Sequence, residues 1–343
     1  MALKPDYRIT NKILLNVAEA EAARQIIENS ALIPRWERAF QTNALVRTIH
    51  HSIAIEGNAL SLQDTEKIVS GKNVETTRVR DVQEILNYRR VVDFIATKKE
   101  QKFSEAMLAD VHTRLGRKIL TDSKLGQYRH NEAVIVNSRT GEIVFDPPKV
   151  SEVPSEVSDL IQWDNHEGGQ LHPLLRAGII HFELVRIHPF VDLNGRTARI
   201  MATWSMYRDS YDIKQFFSLE EYYDQDSKSY YDALDSAHEG DMTAWLEYFI
   251  YGVAVELKKV KDQVLELSRD RNLLRRMGQV ALNERQIKII RYLEEHDTFR
   301  NKDFLSIFPD ISDDTILRDL KDLMDKKLII KKGRTKASRY LLA

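Results

Sequence analysis

The chain has 343 residues, with 51 Lys+Arg against 52 Asp+Glu, a net charge of −1 and no cysteine. Without cysteine there are no disulfides, no thiolate catalysis and no Cys-type zinc sites. A near-neutral charge gives no whole-chain affinity for nucleic acid but leaves room for a local basic patch. MALKPDYRITNK has no apolar signal core and no apolar run reaches membrane-spanning length, so a soluble, cytoplasmic protein without membrane contact is expected.

Glycine and proline are scarce, at 13 and 8, and most segments carry helical periodicity. The spacing predicts helices over 12–30, 35–55 and 62–99, interrupted by EGNALS around Gly57. Further helices are predicted over 104–118, 152–166, 172–187, 195–209 and 241–268. The exception is 134–145, VIVNSRTGEIVF, where two short β-rich runs flank NSRTG in a hairpin pattern. Asp146-Pro147-Pro148 ends its second strand, because proline cannot donate to a ladder.

From about Asn283 the order changes to a helix (RQIKIIRYLEEH), a short helix (NKDFLSIF), PDIS and a third helix (DDTILRDLKDLMDKKL). IIKKGRTKASRYLLA follows as two strands around a basic turn, which completes the pattern of a winged helix-turn-helix. Ser312 is placed to cap the third helix. Lys331, Lys332, Arg334, Lys336 and Arg339 suit contacts to DNA phosphates. The third helix, however, sets Asp313, Asp314, Asp319, Asp322 and Asp325 against Arg318 and Lys321. That acidity weighs against groove reading, so DNA contact and protein docking both stay open.

The densest chemistry lies in HPFVDLNGRTAR, His188 to Arg199. Gly195 just inside a predicted helix suggests an anion site, where free N–H groups and the helix dipole favour phosphate. Arg196 and Arg199 can leave that helix on one face and grip a di- or triphosphate. Asp192 can hold Mg²⁺ against the same phosphates, and His188 is placed to act as a general base.

HPFVDLNGRTAR resembles the Fic signature HPFx(D/E)GNGRxxR, departing from it at Leu193, where the family has glycine. LGQYRHNEAVIV…FDPP resembles the family's flap hairpin, and SYYDALDSAHEGD the segment that closes over the adenine; the resemblance spans roughly residues 45–255. It implies a mainly α fold, a Fic-type helical bundle with a small β-hairpin flap, followed by the winged helix found with it in bacterial members. The domains expected are 1–100, an N-terminal helical region; 101–268, the catalytic core; and 283–343, the winged helix.

The activity implied is transfer of AMP from ATP to a hydroxyl side chain of a target protein. On that resemblance His188 takes the hydroxyl proton and Asp192 holds Mg²⁺. Asn194 and Gly195 contact the phosphates, Arg196 the β-phosphate and Arg199 the γ-phosphate. Tyr230 and Tyr231 match the family's nucleoside-contacting pair, and His238 stands where asparagine is usual. The flap residues Val134, Ile135, Val136 and Asn137 would dock the target as an added strand.

Ser52-Ile-Ala-Ile-Glu56-Gly resembles the family's inhibitory motif (S/T)xxxE(G/N), placed before the core as in class II members. Glu56 is expected to pair with Arg199 and deny it to the γ-phosphate. In some relatives this glutamate orients water to remove AMP, and the direction of reaction stays open. A transcription regulator with a degenerate or nucleotide-sensing core is the rival reading, supported by Leu193 and the winged helix; a Fic-fold kinase and a hydrolase using His181 and His188 stand further back. A homodimer is left open. Leu193→Gly is expected to raise activity in a Glu56→Gly background, because a left-handed leucine is strained.

Overall fold

The computed structural model describes residues 3–30, 32, 34–75, 78–133, 135–136, 143–145, 147–238, 240–277, 282–296, 298–309, 311–333 and 338–343. The chain divides into two compact units, Met1–Glu28 with Gln41–Lys261 and Asn29–Phe40 with Asp262–Ala343. No helix among the described residues is long and apolar enough to cross a membrane.

Helix α1 (Asn11–Asn29) begins where Thr10 Oγ1 accepts the Ile13 N–H at 3.2 Å. Helix α2 (Pro34–Ala54) ends three residues before Gly57, whose φ of +89° favours glycine. The single helix expected over 62–99 is two, α3 (Leu62–Val69) and α4 (Val79–Ala96). The chain leaves α3 at Gly71, with φ +80°. A lone glycine in a helical pattern is weak punctuation, and periodicity alone runs past it.

Helix α5 (Glu105–Gly116) is capped by Ser104, whose hydroxyl accepts the Met107 N–H at 3.2 Å. The expected hairpin follows as β1 (Ile135–Val136) and β2 (Ile143–Phe145), antiparallel, with Ile135 opposite Phe145 and Val136 opposite Ile143. Next come α6 (Val153–His166), α7 (Pro173–Ile187) and α8 (Asn194–Arg208). Helix α7 is buried from Leu174 through Leu184, as expected of a helix apolar on nearly all sides. It packs along α8, with α4 and α5 against α8 and α6 against α7. Each fully buried Leu or Ile in this pair stabilises it by about 1.5–3 kcal/mol, which makes it a firm base for the loop between them.

Two short helices missed by the periodicity follow, α9 (Leu219–Gln225) and α10 (Ser227–Ser236), the latter capped by Asp226 accepting the Ser229 N–H at 3.1 Å. Helix α11 spans Thr243–Met277.

The C-terminal region contains α12 (Glu284–His296), β3 (Phe299–Arg300), α13 (Phe304–Ile307), α14 (Asp313–Asp325), β4 (Ile329–Lys332) and β5 (Arg339–Leu342). The sheet is antiparallel in the order β3-β5-β4, around a core including Leu293, Phe304, Ile316, Leu320 and Tyr340. Strand β3 escaped the sequence reading because two residues carry no alternation. Ser312 stands at the cap of α14, but its hydroxyl lies on Thr315 Oγ1 at 2.9 Å and caps no backbone N–H. Asp319 accepts from Asn283 Nδ2 at 2.8 Å and Arg285 Nε at 2.7 Å; Asp322 accepts from Gln286 Nε2 at 2.6 Å. Two of the five acids of this helix therefore fasten α14 to α12. Lys331, Lys332 and Arg339 are exposed, whereas Arg334 and Lys336 lie outside the described residues.

Candidate active site

The loop from α7 to α8 is bounded by two left-handed residues, His188 (φ 48°) and Leu193 (φ 65°). Such a conformation costs a non-glycine residue about 1–2 kcal/mol and persists only where neighbours enforce it. The Asn194 side chain closes a small ring, accepting the Phe190 N–H at 2.9 Å and donating to the Phe190 carbonyl at 2.8 Å. His112 on α5 stacks on Phe190, ring centroids 3.8 Å apart. Its Nδ1 accepts the Gly126 N–H at 2.9 Å, so Nε2 carries the proton and donates to the Asp192 carbonyl at 3.2 Å. Burial pushes the His112 pKa down to about 4, which keeps the ring neutral. Leu193 is 3% exposed and adopts the backbone conformation for which glycine is favoured. Its side chain is part of the packing.

His188 is half-buried, and burial lowers its pKa to about 4. Its imidazole is therefore neutral near pH 7, the form able to accept a proton. Asp192 is half-exposed; one carboxylate oxygen accepts the Leu193 N–H at 2.7 Å, and Arg80 Nη2 stands 3.5 Å from the other. Among the described residues no group of three or more His, Cys, Asp or Glu side chains forms a metal cage. A single open carboxylate does fit Mg²⁺ held mainly by phosphates and water.

Arg199 is buried and its bonds are well made. Nε donates to Ser52 Oγ at 2.8 Å, and Nη2 donates to the Ser52 carbonyl at 2.9 Å and to Glu56 Oε1 at 2.8 Å. A Cβ on Gly195 would lie 2.6 Å from the same Glu56 oxygen. The Glu56 carboxylate thus rests on the N-terminus of α8, where the dipole favours an anion. Burial works against its charge, but Arg199 and Arg196 outweigh that and hold its pKa below 4.5. Arg196, also buried, pairs with Glu84 of α4 at 3.1 Å, and its Nε has no hydrogen-bond partner among the described residues.

Tyr230 is buried, with its hydroxyl on His181 Nε2 at 2.9 Å and its ring stacked on Tyr223. Tyr231 is half-buried, its ring 5.2 Å from that of Tyr230. His238 is half-buried beside Phe182, and burial lowers its pKa to about 4. Ile135 and Val136 form β1, while Val134 and Asn137 lie outside the described residues. The structure brings Ser52 and Glu56 from α2 and its following turn onto the start of α8. Glu84, Arg80, His112 and Arg129 join the site without having been singled out in the sequence. Glu84 and Arg80 sit in an ordinary charged helix, and of the four only Arg129 lies in a stretch with family resemblance, LGQYRHNE.

Residues 102–206 match the Fic/DOC family. The chain is 26% identical over 245 residues to protein adenylyltransferase fic-1 of Caenorhabditis elegans, covering 70% of this chain and 45% of that protein. It is 29% identical over 225 residues to protein adenylyltransferase Fic of Drosophila virilis, covering 64% and 42%. Residues 102–206 are therefore a Fic-family segment. The chain spans less than half the length of these curated relatives. A Fic family protein from Desulfovibrio desulfuricans G20 shares the fold, with a TM-score of 0.69 at 24% identity over 99% of this chain and 98% of that one. Fic-1 from C. elegans superposes with a TM-score of 0.61 at 22% identity, over 75% and 74%.

Proposed function

We propose that the chain is a protein adenylyltransferase that moves AMP from ATP to a hydroxyl side chain of a target protein, restrained by its own Glu56. The observation that carries this is the Glu56 carboxylate, seated on the α8 N-terminus and bonded to Arg199. An anion already occupies the place that a terminal phosphate would need.

Once Glu56 leaves, the N–H groups of Asn194, Gly195 and Arg196 precede the first bond of the helix, Thr197 N–H to the Leu193 carbonyl, and are free of intrahelical partners. With the Arg196 and Arg199 guanidiniums they bind phosphate oxygens by position and charge. Neutral His188 accepts the proton of the target hydroxyl as its oxygen bonds to the α-phosphorus. The bond from that phosphorus to the β-bridging oxygen breaks, and pyrophosphate leaves. Asp192 would hold Mg²⁺, which when bound neutralises phosphate charge and orients the leaving group. Strand β1 pairs only with β2 among the described residues, so its other edge is available for a target strand to add beside the site. Val134 to Asn137 are the proposed docking stretch, and Tyr231 and His238 the proposed nucleoside side.

Mass spectrometry of a cell lysate incubated with Glu56→Gly protein and ATP tests the assignment. Peptides carrying AMP on Ser, Thr or Tyr are expected; a lysate that gains none opposes it.

A further inference from the structure

The side chain of Arg129 lies at the foot of the hairpin, 3% exposed, and its guanidinium bonds go to backbone carbonyls. Nε donates to the His188 carbonyl at 2.9 Å, Nη1 to the Asn131 carbonyl at 3.2 Å and Nη2 to the Pro148 carbonyl. The Arg129 backbone N–H donates to the Pro189 carbonyl at 2.8 Å. One residue therefore grips two consecutive carbonyls of the α7–α8 loop. With the same side chain it also holds the segments that enter and leave the hairpin. Glu132, its nearest acid, stands 3.6 Å away with a largely exposed side chain, so it does little to offset the buried charge. A buried arginine spent on carbonyls is expensive unless every donor is used, and here the donors span two elements that must be held in register.

We infer that Arg129 is a positioning residue: it fixes the left-handed His188 and sets the hairpin edge at a defined distance from the His188 imidazole. This rests on the proposed transfer, because it gives the docking strand and the base a common anchor. It explains how His188 keeps φ 48° without being glycine. It also separates two tasks, since none of the Arg129 bonds goes to the start of α8, where phosphates would bind. Lysine at this position keeps the charge but supplies no planar fork, so it cannot reach all three carbonyls together.

The test uses the full chain carrying Glu56→Gly, with and without Arg129→Lys. Hydrogen exchange over 131–148, ADP affinity by calorimetry, and label transferred from α-labelled ATP to the protein itself are measured. Arg129→Lys is expected to speed exchange and slow transfer by about tenfold each, with ADP affinity within about twofold, since misplacement by an ångström costs rate more than binding. A second variant, Arg129→Gln, reads the electrostatic contact by titration of His188 in NMR. The charges that act on that ring are those of Arg129, Glu56 and Asp192, and loss of the Arg129 charge should raise its pKa. Unchanged exchange over 131–148, or ADP affinity falling as far as transfer, would overturn the inference. If the Glu56→Gly parent transfers no label, the proposed function fails, while exchange and titration still decide the role of Arg129.

Discussion

Arg196 and Arg199 stand one helical turn apart and face the same proposed ligand, yet they are held in different ways. Arg199 gives its Nε and Nη2 bonds to Ser52 and Glu56, a single stretch at the end of α2 and its following turn. Arg196 pairs with Glu84 of α4 and keeps one buried N–H without a partner among the described residues. A guanidinium bonded in this way is released only if its partner segment moves, and that segment ends at Gly57, with φ +89°. An under-satisfied one already has a donor for an incoming oxygen. The contrast supports the proposal that Arg199 serves the restraint and Arg196 a standing phosphate contact. Asn58 joins the two, donating to Glu84 Oε2 at 3.0 Å from the turn that carries Glu56.

The largest effect is expected for Glu56→Gly, which clears the α8 N-terminus and removes the Glu56 contact of Arg199 while leaving its bonds to Ser52. ADP affinity measured by calorimetry should rise at least about tenfold, the scale of one recovered charge-assisted contact. Glu84→Gln should tighten ADP by a smaller factor, about threefold, because Arg196 is only partly committed. It should also lower stability by about 1–3 kcal/mol through loss of a buried charged partner. A larger gain in affinity from Glu84→Gln than from Glu56→Gly would reverse the assignment.

Acid should not lift the restraint. The Glu56 pKa is depressed below 4.5, so its share of stability is present above that value and is lost only as pH falls through the lower folded value. His188, half-buried and with its pKa lowered by burial to about 4, likewise stays neutral across this range. Label transfer by the unmodified chain should therefore stay low from pH 8 to about pH 5, and the Glu56→Gly rate should show no step near 6.5, the ordinary histidine value. A step there would place His188 in a wetter setting than the structure gives it.

Leu193→Gly should matter least. Relief of left-handed strain, about 1–2 kcal/mol, opposes the loss of a buried leucine, about 1.5–3 kcal/mol. A net destabilisation of about 1 kcal/mol in a denaturant melt follows, with transfer unchanged within about threefold in the Glu56→Gly background. The rise in activity expected from the sequence is opposed by the packing of the leucine, which is buried while holding φ 65°.

The helical bundle was legible from periodicity because its helices are long and half-buried; the break at Gly71, the short α9 and α10 and the two-residue β3 carried too little pattern. His188, Asp192, Arg196 and Arg199 were legible because one loop and one helix turn hold them at fixed spacing. Ser52 and Glu56 required the family resemblance, since a Ser-to-Glu-Gly helix end is ordinary on its own. Glu84, His112 and Arg129 act through contacts across the fold, from 59 to 112 residues away in sequence or through loop carbonyls, and spacing holds no trace of such partners. The acids of α14 show the same limit: Asp319 and Asp322 count as helix charge in the sequence and as ties to α12 in the fold.

The central claim is that Glu56 stands in for a phosphate and so restrains AMP transfer. Incubating the unmodified chain, Glu56→Gly, and Glu56→Gly with His188→Ala with either α-labelled or γ-labelled ATP tests it most directly. Protein-bound label should come from the α-position only, rise at least about tenfold in Glu56→Gly and vanish when His188 is also replaced. Equal incorporation with and without Glu56, or label arriving from the γ-position, would contradict the account.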